Sequence, residues 1–206
     1  MFSIRKPAVF AVTAAALVLA GLTPSWPQAA APPTPPAPAG PAAPAEAAPS
    51  QPGDPFGEEV TMTAKPILYL KGTATWDNAY ESLVDAFKSV RAFIDSEKLK
   101  TDGPPITIYL ATDDTGFQFQ AAIPIAEEPK TAPRGDLAVG KSPEGRALKF
   151  VHRGSYDGMD TTYDAITNYL DQKGLEAKDL FIERYLTDPV STPEDKLVIE
   201  VFVPIK

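Results

Sequence analysis

Apolar and polar residues alternate with two different periods along the chain, and the changes of period mark its elements. Tyr80, Leu83, Val84, Phe87, Val90, Arg91 and Ile94 recur at helical spacing. All but Arg91 are apolar or aromatic, which predicts an amphipathic helix with Asp77 as its N-cap. A second stripe, Met159, Tyr163, Ile166 and Leu170, ends at Gly174, a residue suited to a left-handed stop. The remaining patterned stretches have a period of two and predict strands. In "ITIYLA", Ile106, Ile108 and Leu110 share one face, with Thr107, Tyr109 and Ala111 on the other. In "FIERYL", Ile182, Arg184 and Leu186 oppose Phe181, Glu183 and Tyr185. In the last strand, Leu197, Ile199, Val201 and Val203 oppose Val198, Glu200 and Phe202.

The order of these elements repeats. Strand, helix, strand, strand occurs over residues 62–127 and again over 136–206. Trp76 corresponds to Tyr156, Tyr109-Leu110 to Tyr185-Leu186, and Pro124-Ile125 to Pro204-Ile205. An internal duplication is therefore expected. The fold class that follows is α+β: two strand–helix–strand–strand units forming antiparallel sheets around a central groove, with the helices on the opposite faces. The face holding Ile106 and Ile182 is expected to pack on the helices. The other would carry Tyr109, Phe181, Glu183, Tyr185, Glu200 and Phe202, a surface too apolar to leave in water. A concave, largely aromatic surface with a few polar groups has the character of a small-molecule site.

The N-terminal quarter reads differently. Arg5 and Lys6 precede the apolar run Ala8–Leu22, and small residues follow at 28–31. This predicts an export signal over residues 1–30, placing the product in the periplasm or outside the cell. The alternative is an uncleaved N-terminal membrane anchor. Residues 31–58 are rich in Pro and Ala and read as a disordered linker, leaving 59–206 as the domain. The 206 residues carry 19 Lys+Arg against 27 Asp+Glu, a formal net charge of −8. That balance argues against nucleic-acid binding and favours cationic ligands. The chain has no cysteine and one histidine, His152. Thiolate chemistry and multi-histidine metal sites are excluded, and no cofactor or metal is expected. A monomer is expected.

Glu183 is the chemically pointed residue. It stands in an otherwise apolar and aromatic strand, where it either faces solvent, pairs with Arg184 or Arg153, or is aimed into a pocket. Glu200 is a candidate second carboxylate on the same face. Asp188 before Pro189 suits a turn, and His152, alternating with Phe150 and Leu148, reads as a packed residue.

The stretches "GRALKFVHRGSYDGM" and "FIERYLTDPVSTPEDKLVIEVFVPIK" resemble the GyrI-like small-molecule-binding domain, which also serves as the effector-binding part of AraC-type and multidrug-responsive regulators. The resemblance covers about 65–206 and is strongest over the last sixty residues. It implies a cleft between the halves, lined by aromatics, with Glu183 at its base and Tyr185 beside it. With the residues that strand alternation and the repeat add, the candidate ligand contacts are Glu183, Tyr185, Tyr109, Trp76, Tyr156, Phe181, Phe202 and Glu200, and Thr107 stands where the first half lacks an acid. The resemblance implies capture of lipophilic, often cationic, compounds. The alternative is hydrolysis of strained, cyclopropane-type or other electrophilic compounds with Glu183 as general acid/base. A protein-docking scaffold is the third reading. An export signal stands where regulators carry a helix-turn-helix, which argues against a role in transcription.

Overall fold

The structure, a computed structural model, describes residues 53, 54 and 56–206. The expected export signal and most of the expected linker lie outside the described residues. Eight strands and two helices follow in the order β1 (Phe56–Met62), β2 (Pro66–Thr75), α1 (Ala79–Glu97), β3 (Ile106–Thr112), β4 (Gly116–Pro124), β5 (Leu137–Lys141), β6 (Gly145–Arg153), α2 (Met159–Lys173), β7 (Phe181–Tyr185) and β8 (Val198–Pro204). All eight strands join one sheet in the order β1-β6-β8-β7-β3-β4-β2-β5, and every pairing is antiparallel.

The duplication is visible in this order. β2-β4-β3 with α1 forms one half, β6-β8-β7 with α2 the other, and the halves join through β3 and β7. Trp76 and Tyr156 each open a 3-10 turn that runs straight into its helix. α1 has 19 residues and α2 has 15, one turn fewer. Lys98 and Gly174 end the two helices in the same left-handed conformation, at φ 55° and 62°. Gly174 takes its expected role, whereas Asp77 lies within the 3-10 turn and caps nothing.

The edge strands β1 and β5 extend the strand–helix–strand–strand units, and each pairs with the opposite half. β1 begins at Phe56, so regular structure starts before Glu59. In a flat sheet β1 and β2, six positions apart, would be separated by about 29 Å. The residues between Met62 and Pro66 can bridge at most about 14 Å. The same argument holds for β5 and β6. The sheet must therefore roll until its two ends approach. The two crossing segments meet: Lys65 N–H donates to Ser142 Oγ at 3.0 Å, and Ser142 N–H to the Lys65 carbonyl at 2.9 Å.

Rolling gives the sheet two buried faces. One packs on both helices through Leu83, Phe87, Val90, Ile166 and Leu170, against Leu68, Phe119, Phe150, Ile199 and Val201. The other lies inside the roll and buries Ile67, Ile106, Ile108, Ile182 and Phe202. This corrects the expected arrangement in two respects. There is one sheet rather than two, and the Tyr109, Glu183 and Tyr185 face is the helix face. Ile106, Ile108 and Ile182 look into the roll. Alternation says which residues share a face, and hydrophobicity then chooses the buried one; with both faces buried, that second step has no information. In β8, Ile199, Val201 and Val203 do face the helices, as expected.

Candidate functional site

β3 and β7 pair at the centre of the sheet, with Ile106 opposite Arg184, Thr107 opposite Glu183 and Ile108 opposite Ile182. Thr107 and Glu183 are equivalent residues of the two repeats, so this pair lies on the pseudo-two-fold axis. Strand alternation sends Glu183 beneath the helices together with Tyr185, two residues on, and Tyr109 from the neighbouring strand. α2 supplies Tyr163, and the 3-10 turn before it supplies Tyr156.

Glu183 is 0% exposed, and its oxygens accept hydroxyl bonds. Tyr163 donates to Oε1 at 2.8 Å. Around Oε2 stand the hydroxyls of Tyr185 at 2.7 Å, Tyr109 at 2.9 Å and Tyr156 at 3.3 Å. The hydroxyls of Tyr109 and Tyr156 are 2.6 Å apart. A phenol has one proton, so both cannot donate to Glu183 and also bond each other. The distances assign the protons: Tyr156 donates to Tyr109, and Tyr109 to Glu183. Tyr185 spends its proton on Glu183, so the Thr107 hydroxyl, 3.3 Å away, donates to Tyr185.

Burial pushes the Glu183 carboxyl above the usual range, while the hydroxyl bonds from Tyr185, Tyr163 and Tyr109 pull it part of the way back. The four phenols are held well above their usual value by burial first and by the Glu183 charge second, so they remain protonated donors. Among the described residues no lysine, arginine or histidine pairs with Glu183. Arg184 bonds Glu200 at 2.6 Å and Arg153 bonds Asp54 at 2.7 Å. The two internal ion pairs open to Glu183 on sequence grounds are thus absent.

The cage is roofed by Tyr80 from α1. Its ring stacks on Tyr156 at 5.2 Å and 29°, and its hydroxyl donates to the Pro189 carbonyl at 2.9 Å. Phe181 meets Tyr163 edge-on at 5.8 Å. His152 fixes the turn that carries Tyr156. Its Nε2 faces the Ser155 carbonyl at 2.9 Å, so that nitrogen carries the proton and Nδ1 accepts from Thr162 at 2.7 Å. Asp188 holds the β7–β8 turn against α1 through a bidentate bond to Arg91, and that partner draws its carboxyl down to about 2.

Of the residues singled out in the sequence, Glu183, Tyr185, Tyr109 and Tyr156 converge, and Phe181 lines their flank. Trp76 is 46% exposed and stands apart on Phe117, its indole N–H donating to the Asp113 carbonyl at 2.8 Å. Glu200 and Phe202 point into the roll, on the far side of the sheet from Glu183; the ladder sets Glu183 opposite Val201 and Arg184 opposite Glu200. The two carboxylates are no pair. Thr107 joins the cage through Tyr185. Sequence reasoning passed over Tyr163 and Tyr80, which sit in helical stripes and look like core. The repeat held a signal: the residue matching Tyr163 in the first half is Leu83, so the second half carries a hydroxyl where the first is aliphatic.

A model of the GyrI-like small molecule binding domain matches residues 58–206. The chain belongs to the GyrI-like family. No curated protein sequence matches it significantly. Among solved structures it is similar to the EcmrR C-terminal domain, at 12% identity and TM-score 0.62 over 73% of this chain and 97% of that one. In the EcmrR–DNA complex the match has TM-score 0.63 at 12% identity; it covers 73% of this chain but spans only 57% of the EcmrR chain. SAV2435 bound to tetraphenylphosphonium matches with TM-score 0.53 at 14% identity, over 73% of this chain and 94% of that one. These likenesses establish the α+β fold of one eight-stranded antiparallel sheet with two helices. With the family, small-molecule binding is the general role of the domain.

Proposed function

We propose that this chain is an exported, monomeric protein that captures lipophilic cations, or amphipathic molecules with a cationic head, at Glu183, without contacting nucleic acid. The observation that carries the reading is a fully buried carboxylate whose neighbours are neutral phenols and whose positive partner is absent among the described residues. Taking a carboxylate out of water is costly, and the three hydroxyls that donate to it replace only part of its hydration. A cation about 4 Å away would contribute about 4 kcal/mol at an effective dielectric of 20. Each well-placed tyrosine face adds roughly 0.5–2 kcal/mol. The ligand enters between α1 and the turn before α2, so Tyr80 and Tyr156 swing aside and their rings then flank it. Binding of tetraphenylphosphonium by SAV2435 and the acidity of the chain support this ligand class.

Calorimetric titration of the full chain with tetraphenylphosphonium should give saturable binding, weakened at least about 30-fold in Glu183→Gln, or roughly 2 kcal/mol. Equal affinity in that variant sinks the proposal. The export part rests on Arg5, Lys6 and the apolar run Ala8–Leu22. Fractionation of a bacterial host with N-terminal sequencing tests it; an intact residue 1–30 segment on cytosolic protein would overturn it.

One observation favours a second reading, hydrolysis of strained or electrophilic compounds. Tyr156, Tyr109 and Glu183 form a hydroxyl relay from a half-buried phenol to a buried carboxyl whose proton affinity is raised by burial. Turnover of such compounds should then fall in both Glu183→Gln and Tyr156→Phe. Undiminished turnover in both removes this reading and leaves binding.

A further inference from the structure

The inside of the rolled sheet opens, at the end where the crossing segments 63–65 and 142–144 meet, into a hollow of about 310 Å³. That volume lies at the small end of the range for small-molecule sites. Its walls include Val60, Met62, Ile106, Ile182 and Phe202. Among the described residues three cationic side chains line it as well, Lys65, Lys149 and Arg184, with Asp102 as the single acid. In a chain of net charge −8 this concentration of positive groups on an apolar floor stands out. We propose that the hollow is a second ligand site, separate from Glu183, that takes a short single-chain amphiphile with an anionic head.

Charge and register both bear on this. Glu183 and Arg184 are neighbours on β7 and point to opposite faces, so the two sites share a strand but not a surface. The Arg184 guanidinium lies over the Phe202 ring at 4.6 Å, next to the apolar floor. Each cation already has a carboxylate: Lys65 with Asp102 at 2.9 Å, Lys149 with Glu58 at 2.7 Å, and Arg184 with Glu200. An entering anion therefore competes for these groups. The competition is cheap for the two lysines, because Asp102 and Glu58 are both about half exposed and solvated pairs contribute little. Glu58 and Glu200 do not line the hollow, whereas their cationic partners do. An anionic head between Lys65, Lys149 and Arg184 would lay its tail on Phe202, Ile182 and Ile106.

The test is calorimetric titration of the full chain with decanoate below its micelle concentration, at low ionic strength. Saturable one-to-one binding is expected, weakening as salt is added. The Lys65→Gln/Lys149→Gln double variant should bind at least about tenfold more weakly, and Val60→Trp, which fills the hollow from the edge strand, should abolish binding. Glu183→Gln should bind decanoate as wild type does, and decyltrimethylammonium should not compete. No saturable binding overturns the proposal. So does unchanged affinity in both hollow variants, which would place the ligand elsewhere on the chain, or loss of decanoate binding in Glu183→Gln, which would place it in the tyrosine cage. Failure of cation binding at Glu183 would leave all of these outcomes readable.

Discussion

Tyr163→Phe removes one hydroxyl and nothing else, and the proton assignment around Glu183 says what that should do. Tyr163 is the one phenol that bonds Oε1, at 2.8 Å. A hydrogen bond to a charged group contributes about 1.5–3 kcal/mol, a neutral one about 0.5–1.5 kcal/mol. Burial raises the folded-state affinity of Glu183 for its proton above the ordinary 4.5. Its contribution to stability is therefore fully present below that unfolded value and declines as pH rises through the folded one. Once pH passes the raised titration range of Glu183 the carboxylate is charged and the variant loses a charge-assisted bond, about 1.5–3 kcal/mol; pH 8 probes that side. At about 2–4 °C per kcal/mol for a domain of this size, Tm falls by roughly 3–12 °C. Below pH 4.5 the carboxyl is neutral in both states and the deficit shrinks to about 0.5–1.5 kcal/mol. Tyr156→Phe is the control. Its proton goes to Tyr109, a neutral acceptor, so its deficit stays at about 0.5–1.5 kcal/mol across the same range. Urea denaturation of both variants at pH 4 and pH 8 measures the four numbers. A Tyr163→Phe deficit that ignores pH would refute a charged Glu183 in the free protein. Equal behaviour of the two variants would refute the proton assignment.

Lys98→Gly relieves a non-glycine residue held at φ 55° and should stabilise the fold by about 1 kcal/mol in urea denaturation, since the left-handed conformation costs an L-residue about 1–2 kcal/mol. Arg91→Leu removes the partner that holds Asp188 at about 2. That lowered carboxyl contributes stability above its unfolded value of 3.8 and loses it as pH falls toward 2. With the pair about a third exposed, the variant should lose about 0.5–1 kcal/mol at pH 7. The gap from wild type should close by about pH 2 in acid titrations followed by circular dichroism.

The helices, the end of the second at Gly174, and the duplication could be read from the chain because periodicity and repetition are local. Glu183, Tyr185, Tyr109 and Tyr156 could be collected because strand alternation and repeat equivalence place them together. The side of the sheet they occupy could not be read. It depends on the roll, and the roll follows from β1 and β5 exchanging halves, which is a fact of long-range pairing. Neither edge strand announces itself. β1 sets Glu58 and Glu59 side by side with a register shift between Phe56 and Glu58, and β5 is four half-buried residues followed by the exposed Lys141. Tyr163 was hidden for another reason. On a helix stripe a tyrosine in the core and a tyrosine aimed at a buried acid look alike, and only its comparison with Leu83 distinguishes them.

The axis position of Glu183 explains why the site has one acid. A carboxylate at both Thr107 and Glu183 would face its twin across the β3–β7 ladder, and two like charges in contact beneath the helices cannot both ionise. Tyr109 and Tyr185 are equivalents and both reach the axis, so either half could host the acid as far as they are concerned. The helices break the tie. Tyr163 and Tyr156 belong to the second half, while their counterparts Leu83 and Trp76 supply no hydroxyl. Exchanging the two axis residues, Thr107→Glu with Glu183→Thr, keeps the total side-chain volume and the two strand tyrosines. It draws the carboxylate back toward β3, away from the hydroxyls of α2. The exchanged protein should be less stable than wild type by about 1.5–3 kcal/mol at pH 8, the value of one charge-assisted bond, with the difference narrowing below pH 4.5. If urea denaturation shows the same deficit at both pH values, the loss comes from packing and the second-half tyrosines are not what holds the charge. If it shows no deficit, the cage accepts an acid from either strand, and the asymmetry of the repeats has to serve the ligand rather than Glu183.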